Sequence, residues 1–184
     1  MTFNPAEATA QYIDALGPAA LAKAAAYTHG GHWIMLWGLI VAAVVTLIIV
    51  RLRLLERIAM RLSKRGWALR TWLIAATFFI LYALLSLPWD IYSGWARETS
   101  YGRTSQPLAD YLVQSGIATA IFAALGGLFF LGIYALIRRA GKKWWIWTGA
   151  LAAMAISALM LAAPIFIEPL FNNYQPVPNG PVRD

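Results

Sequence analysis

The residues of this chain that could do chemistry are few, and their spacing is the first constraint. Its two histidines, His29 and His32, lie in THGGHW. Imidazoles three residues apart can share a helix face and one metal ion, but a structural or catalytic zinc takes three or four protein ligands. Gly30-Gly31 disfavours a helix at this point, and the 184 residues hold no cysteine to complete a set. The pair therefore reads as a polar lead-in to an apolar run. Asp90, Glu98 and Asp110 are the acids of a second stretch, LPWDIYSGWARETSYGRTSQPLADY. Three carboxylates suit a metal, but acids in a connection are more often solvated or salt-bridged. The sequence contains no H-E-x-x-H, no G-x-S-x-G and no P-loop. Ser157 and Thr148 have no base nearby in sequence, and Gly126-Gly127 has no phosphate-binding context.

The elements that would position these residues belong to a membrane. The chain is 60% hydrophobic and 12% charged, with a mean hydropathy of +0.61. Soluble domains are nearer a quarter charged. About 20 mainly apolar residues cross a hydrocarbon core as a helix, and residues 33–50, 67–87, 112–137 and 145–167 qualify. Pro88 is expected to stop the second span. The sequence predicts an all-α, polytopic, four-transmembrane-helix bundle. A β-barrel would show short alternating segments instead. Residues 1–31 read as an amphipathic surface segment, with Tyr12, Ile13 and Leu16 on one face and a break at Gly17-Pro18. They carry no basic n-region, so the first span is expected to be retained as an anchor. Gly116, Ala120, Ala123, Ala124 and Gly127 cluster on one side of the third span. Gly149, Ala153 and Ser157 line the fourth. Small faces allow close helix approach in lipid.

Charge sets the expected orientation. Arg51, Arg53, Arg57, Arg61, Lys64, Arg65 and Arg70 surround the first connection, and Arg138, Arg139, Lys142 and Lys143 the third. Together they make 11 of the 15 basic residues. The positive-inside rule places both connections in the cytoplasm and both termini outside. Arg53, Arg57 and Arg61 alternate with Leu54, Leu55, Ile58 and Leu62, the pattern of a basic helix on an anionic leaflet. Arg70, one turn into the second span, can snorkel to the headgroups. The net charge of +7 thus points to a lipid bilayer and not to nucleic acid.

Two motifs carry the reading further. LPWDIYSGWARETSYG follows the second span, and PIFIEPLFNNYQPVPNGPVRD ends the fourth, with IRRAGKKWW between them. Their order resembles the N-terminal membrane half of the CAAX prenyl protease family of zinc metalloendopeptidases, in a bacterial-type form. The matching positions are Leu87, Pro88, Tyr92, Ser93, Glu98, Tyr101 and Gly102, then Pro169, Leu170, Phe171, Asn172, Pro176 and Gly180. The resemblance covers roughly residues 67–184. Thr99 stands where the family often has a second acid, and Arg103 and Thr104 replace a usual phenylalanine and asparagine.

The resemblance implies a protease whose Zn2+ is bound downstream by the two histidines of H-E-x-x-H and a later glutamate. The metal lowers the pKa of its bound water. No such motif lies within these residues, so no catalytic or metal-binding residue is expected here. The chain would be inactive alone. It would wall a chamber for a peptide or protein substrate, with residues 168–184 leading to a missing C-terminal peptidase domain. A non-catalytic membrane scaffold or partner protein is the alternative. A bacterial inner membrane is the expected location. The family's eukaryotic members place the catalytic domain in the cytosol, against the charge count, which is the guide followed for this chain.

Overall fold

A computed structural model describes residues 4–171. Asn172, Tyr174, Pro176 and Gly180 of the terminal strip lie outside the described residues. The described residues contain helices and no strand: α1 (Pro5–Ala15), α2 (Gly17–Arg51), α3 (Leu54–Arg61), α4 (Trp67–Asp90), α5 (Arg97–Ser100), α6 (Leu108–Arg139) and α7 (Trp144–Ala162). π-helical turns at Ile91–Ala96 and Ala163–Ile167 continue α4 and α7. Four helical stretches are long and apolar enough to cross a membrane: Gly17–Arg51, Trp67–Ser100, Leu108–Arg139 and Gly141–Leu170. The all-α membrane architecture expected from the apolar runs is what the chain adopts.

Local sequence accounts for the helix ends. Asn4 caps α1 by accepting from the Ala6 N–H at 3.2 Å. Gly17, at φ +76, ends α1, and Pro18 starts α2. Arg53 turns the corner after α2 at φ +53, an unusual conformation for a residue with a Cβ.

Three expectations about breaks are corrected. Gly30-Gly31 does not interrupt α2, which runs unbroken for 35 residues. A glycine inside a helix costs roughly 0.5–1 kcal/mol, which a helix of this length absorbs. At about 1.5 Å per residue α2 is roughly 50 Å long, against a hydrocarbon core of about 30 Å. Residues 17–31 therefore prolong the helix of the first span. Pro88 does not stop the second span but lies inside α4. The connection expected after it is helical as far as Ser100. Proline removes one backbone bond and crowds the preceding turn. The π turn that follows widens the helix instead of ending it, and the Arg97 N–H reaches the Tyr92 carbonyl five residues back.

The chain forms two compact units. The first contains residues up to Leu54 together with Leu81–Leu112. Val45 and Ile49 of α2 and Ser86 of α4 are its buried residues. Ser86 Oγ donates to Asp90 Oδ2 at 2.6 Å, so the buried hydroxyl is satisfied. The second contains Leu55–Ile80 and the residues from Val113 onward. Here α4 and α6 pack through small residues. Ala76, Ala123 and Gly127 are buried, and Trp72 Nε1 donates to the Ala124 carbonyl at 3.1 Å. A Cβ on Gly127 would lie 2.9 Å from the Trp72 ring and 3.2 Å from its carbonyl oxygen, and one on Gly126 would lie 2.5 Å from the Phe79 ring. Of the small face expected on the third span, Ala123 and Gly127 are buried and Gly127 seats the Trp72 ring, whereas Gly116, Ala120 and Ala124 are exposed and a Cβ on Gly116 would meet nothing within 4 Å. The line expected on the fourth seats no ring: α7 buries no residue, and a Cβ on Gly149 would meet no neighbouring element within 4 Å. Large exposed apolar side chains such as Leu161, Met160 and Phe166 suit a lipid solvent, in which packing and not apolar burial holds helices together.

Candidate functional site

The most elaborate polar assembly among the described residues lies in the first unit, where the segment after α4 meets α2. The π turn sets it up. Two carbonyls at its entrance accept from side chains. Ser93 Oγ donates to the Trp89 carbonyl at 2.8 Å, and Tyr111 Oη donates to the Asp90 carbonyl at 3.0 Å. Tyr111 can come this close because residue 94 is glycine: a Cβ there would lie 2.8 Å from its hydroxyl.

A Schellman motif then closes α5. The Gly102 N–H donates to the Thr99 carbonyl at 3.0 Å and the Arg103 N–H to the Glu98 carbonyl at 2.8 Å. The motif needs a left-handed residue, and Gly102 supplies it at φ +71. This is the physical content of the Tyr101-Gly102 pair. It turns the chain so that Arg103 comes back onto the Glu98 side chain.

Glu98 is the hub. Its Oε1 accepts from Tyr27 Oη at 2.8 Å and from Arg97 Nη1 at 3.3 Å; its Oε2 accepts from Arg103 Nε at 3.1 Å. Arg97 Nη2 also donates to the Tyr27 carbonyl. The Arg97 guanidinium lies over the Tyr27 ring, 4.0 Å from its centroid, and Arg103 lies 4.8 Å from it. Tyr101 packs edge-on to Tyr27 at 5.1 Å. The Arg97 side chain is 11% exposed and the Glu98 side chain 23%, whereas Arg103 is 60% exposed. The Arg97–Glu98–Tyr27 contacts therefore carry the cluster, and solvent screening leaves Arg103 a smaller share.

Arg97 lies along α2 at Gly30-Gly31, at ordinary contact distance. A Cβ on Gly30 would lie 3.4 Å from Arg97 Nη2 and one on Gly31 3.9 Å from it. The bare backbone of α2 is the floor on which the Arg97 side chain lies. Beside it opens a cleft of about 580 Å3. Trp33 and Trp37 line it from α2, Trp89 and Tyr92 from α4 and the π turn, and Arg97 and Tyr101 close its polar side.

The sequence-predicted residues fall as follows. Ser93, Glu98, Tyr101 and Gly102 are drawn into the assembly, Tyr92 lines the cleft, and Leu87 and Pro88 belong to the helix entering the π turn. Pro169 and Leu170 form a 3-10 turn after the second π turn, and Phe171 follows it. His29 and His32 stack edge to face at 6.4 Å. Asp90, Glu98 and Asp110 do not converge, and no group of three or more His, Cys, Asp or Glu able to hold a metal exists among the described residues. Sequence reasoning missed Tyr27, Arg97, Trp33 and Trp37. The spacing of Trp33 and Trp37, four apart on one helix face, was the available signal for those two. Tyr27 had none, because its partner is 71 residues away.

Residues 4–173 match the family model described as CAAX prenyl protease N-terminal, five membrane helices. Of those helices, the described residues contain four that are long and apolar enough to cross; α1, with 11 residues, is too short to do so. A "CAAX prenyl protease 1 homolog" of Caenorhabditis elegans is 29% identical over 104 residues, covering 56% of this chain and 24% of the relative. The "Uncharacterized metalloprotease YhfN" of Bacillus subtilis (strain 168) is 29% identical over 100 residues, 54% of this chain and 23% of the relative. A "CAAX prenyl protease 1 homolog" of Arabidopsis thaliana is 25% identical over 101 residues, 55% of this chain and 24% of the relative. The chain thus spans about a quarter of the length of the curated relatives it matches. No solved structure matches it.

Proposed function

The chain belongs to the CAAX prenyl protease N-terminal family, and on that premise we propose that it is the membrane-embedded half of a zinc metalloendopeptidase. It walls a chamber and positions a catalytic domain for peptide-bond hydrolysis. The observation that carries this reading is the assembly around Glu98. Glu98, one of the residues by which the sequence resembles the family, and Arg97 beside it bond to Tyr27 of α2, and the segment they hold lines an aromatic cleft.

The residues described here do not fit a zinc ion: no three candidate ligands converge, and two histidines fall short of a zinc set. The metal and its general base are assigned to a C-terminal peptidase domain, toward which residues 168–184 lead. The work of this half is binding and orientation. Trp33, Trp37, Trp89 and Tyr92 offer apolar faces to a side chain of the peptide or protein substrate. The Arg97–Glu98 pair holds that wall in place by bonds to α2. Residues 1–31 prolong or flank the first span at the membrane surface, and both termini face outward in a bacterial inner membrane.

The test is peptide hydrolysis by the full-length protein. Tyr27→Phe combined with Glu98→Gln should lower kcat/KM while the protein remains helical and extractable. Unchanged turnover in that variant would remove the motif segment from the function.

A further inference from the structure

In the second unit a cleft of about 650 Å3 lies between the first half of α4 and the last part of α6. One end is cationic, lined by Arg65, Arg70 and Arg138. The other is apolar, lined by Ile74, Phe78, Phe79 and Phe130. The two helices run antiparallel here. Arg138 stacks on Trp67 at 4.8 Å, and deeper along both helices Phe79 meets Phe130 at 6.0 Å. From Arg70 to Phe79 is nine residues, about 13 Å along the helix. The cleft is thus graded, with charge at one end and aromatic rings nearly one leaflet's hydrocarbon depth away.

Three features select an occupant. No carboxylate lines the cleft, and among the described residues none pairs with Arg65, Arg70 or Arg138. Guanidinium groups match phosphate oxygens in fork geometry. Trp67 and Tyr134 beside the arginines are the residue types that settle at headgroup level. A free anion would use the arginines and leave the apolar end empty. An acyl chain alone would leave three guanidinium groups unanswered. We propose that this cleft binds one anionic glycerophospholipid, its phosphate on Arg65, Arg70 and Arg138 and an acyl chain along Phe78, Phe79 and Phe130. The site is independent of the protease reading.

The test is native mass spectrometry of the purified chain in non-ionic detergent, titrated with dioleoyl-phosphatidylglycerol or dioleoyl-phosphatidylcholine. One phosphatidylglycerol should be retained about tenfold more tightly than phosphatidylcholine, in line with basic pockets between membrane helices. R65Q/R70Q/R138Q should abolish that preference. R57Q/R61Q/K142Q, which removes the same charge away from the cleft, should keep it. Phe130→Ala should weaken retention without changing the preference. Equal retention of the two lipids by the unaltered chain would overturn the proposal, and so would equal loss in both charge variants. Competition with the unaltered chain separates the sources of phosphate. Inorganic phosphate or poly-glutamate that displaces the lipid at equal concentration would make this a general anion site, and the proposal would fall.

Discussion

Glu98 could be picked out as an acid in the sequence, and its surroundings decide what it does. Its carboxylate is occupied by Tyr27, Arg97 and Arg103, so it acts as an anchor between chain segments and not as a free base. A hydrogen bond to a charged group contributes about 1.5–3 kcal/mol, toward the low end where the group is partly solvated. Tyr27→Phe should therefore lower Tm in detergent, with a loss of about 1–2 kcal/mol; an unchanged Tm would mean that the contact is not made in the folded protein. Gly102 allows a sharper test. Its left-handed backbone costs a residue with a Cβ about 1–2 kcal/mol, and asparagine tolerates it better than most. Gly102→Ala should destabilise more than Gly102→Asn, and equal Tm values would argue against the Schellman turn. The acid and the glycine were legible because they sit in a local motif. Tyr27 and Arg97 were not, because no local rule links residues 70 or more positions apart.

Helix existence was legible and helix ends were not. Apolar runs of about 20 residues mark spans through composition alone. Pro88 and Gly30-Gly31 were read as breaks from local propensity, and tertiary contacts outweigh propensity at both places. A π turn follows Pro88 and the helix continues to Ser100, and the Arg97 side chain lies along α2 at Gly30-Gly31. The π turn makes a prediction at this scale. Gly94→Ala should press on Tyr111 and cost about 1–3 kcal/mol, and the cost should shrink in a Tyr111→Phe background. Strict additivity of the two changes in Tm would refute the contact. The small-residue lines differ in the same way. Gly127→Ala meets the Trp72 carbonyl and should destabilise by about 1–3 kcal/mol. Gly149→Ala faces open space and should be neutral, or stabilising by up to about 1 kcal/mol through helix propensity. Equal effects would mean that small residues on the third span do not seat the second.

For the whole molecule, composition already excluded a soluble fold, because 12% charge and four long apolar helices require lipid. The orientation we propose rests on the 11 basic residues on two connections, a bias the positive-inside rule reads as cytoplasmic. A reporter fused after Asp184 should be active outside the cytoplasm, and activity confined to the cytoplasm would reverse the assignment. The proposed role of this membrane half is to shape and position a metal-dependent endopeptidase. It is tested most directly by purifying the full-length protein, offering it a pool of peptides, and following cleavage with and without a zinc chelator in the unaltered protein and in Trp37→Ala. Cleavage that the chelator abolishes is expected, with KM raised in Trp37→Ala and kcat retained. Absence of cleavage, or cleavage indifferent to both the chelator and the tryptophan, would contradict it.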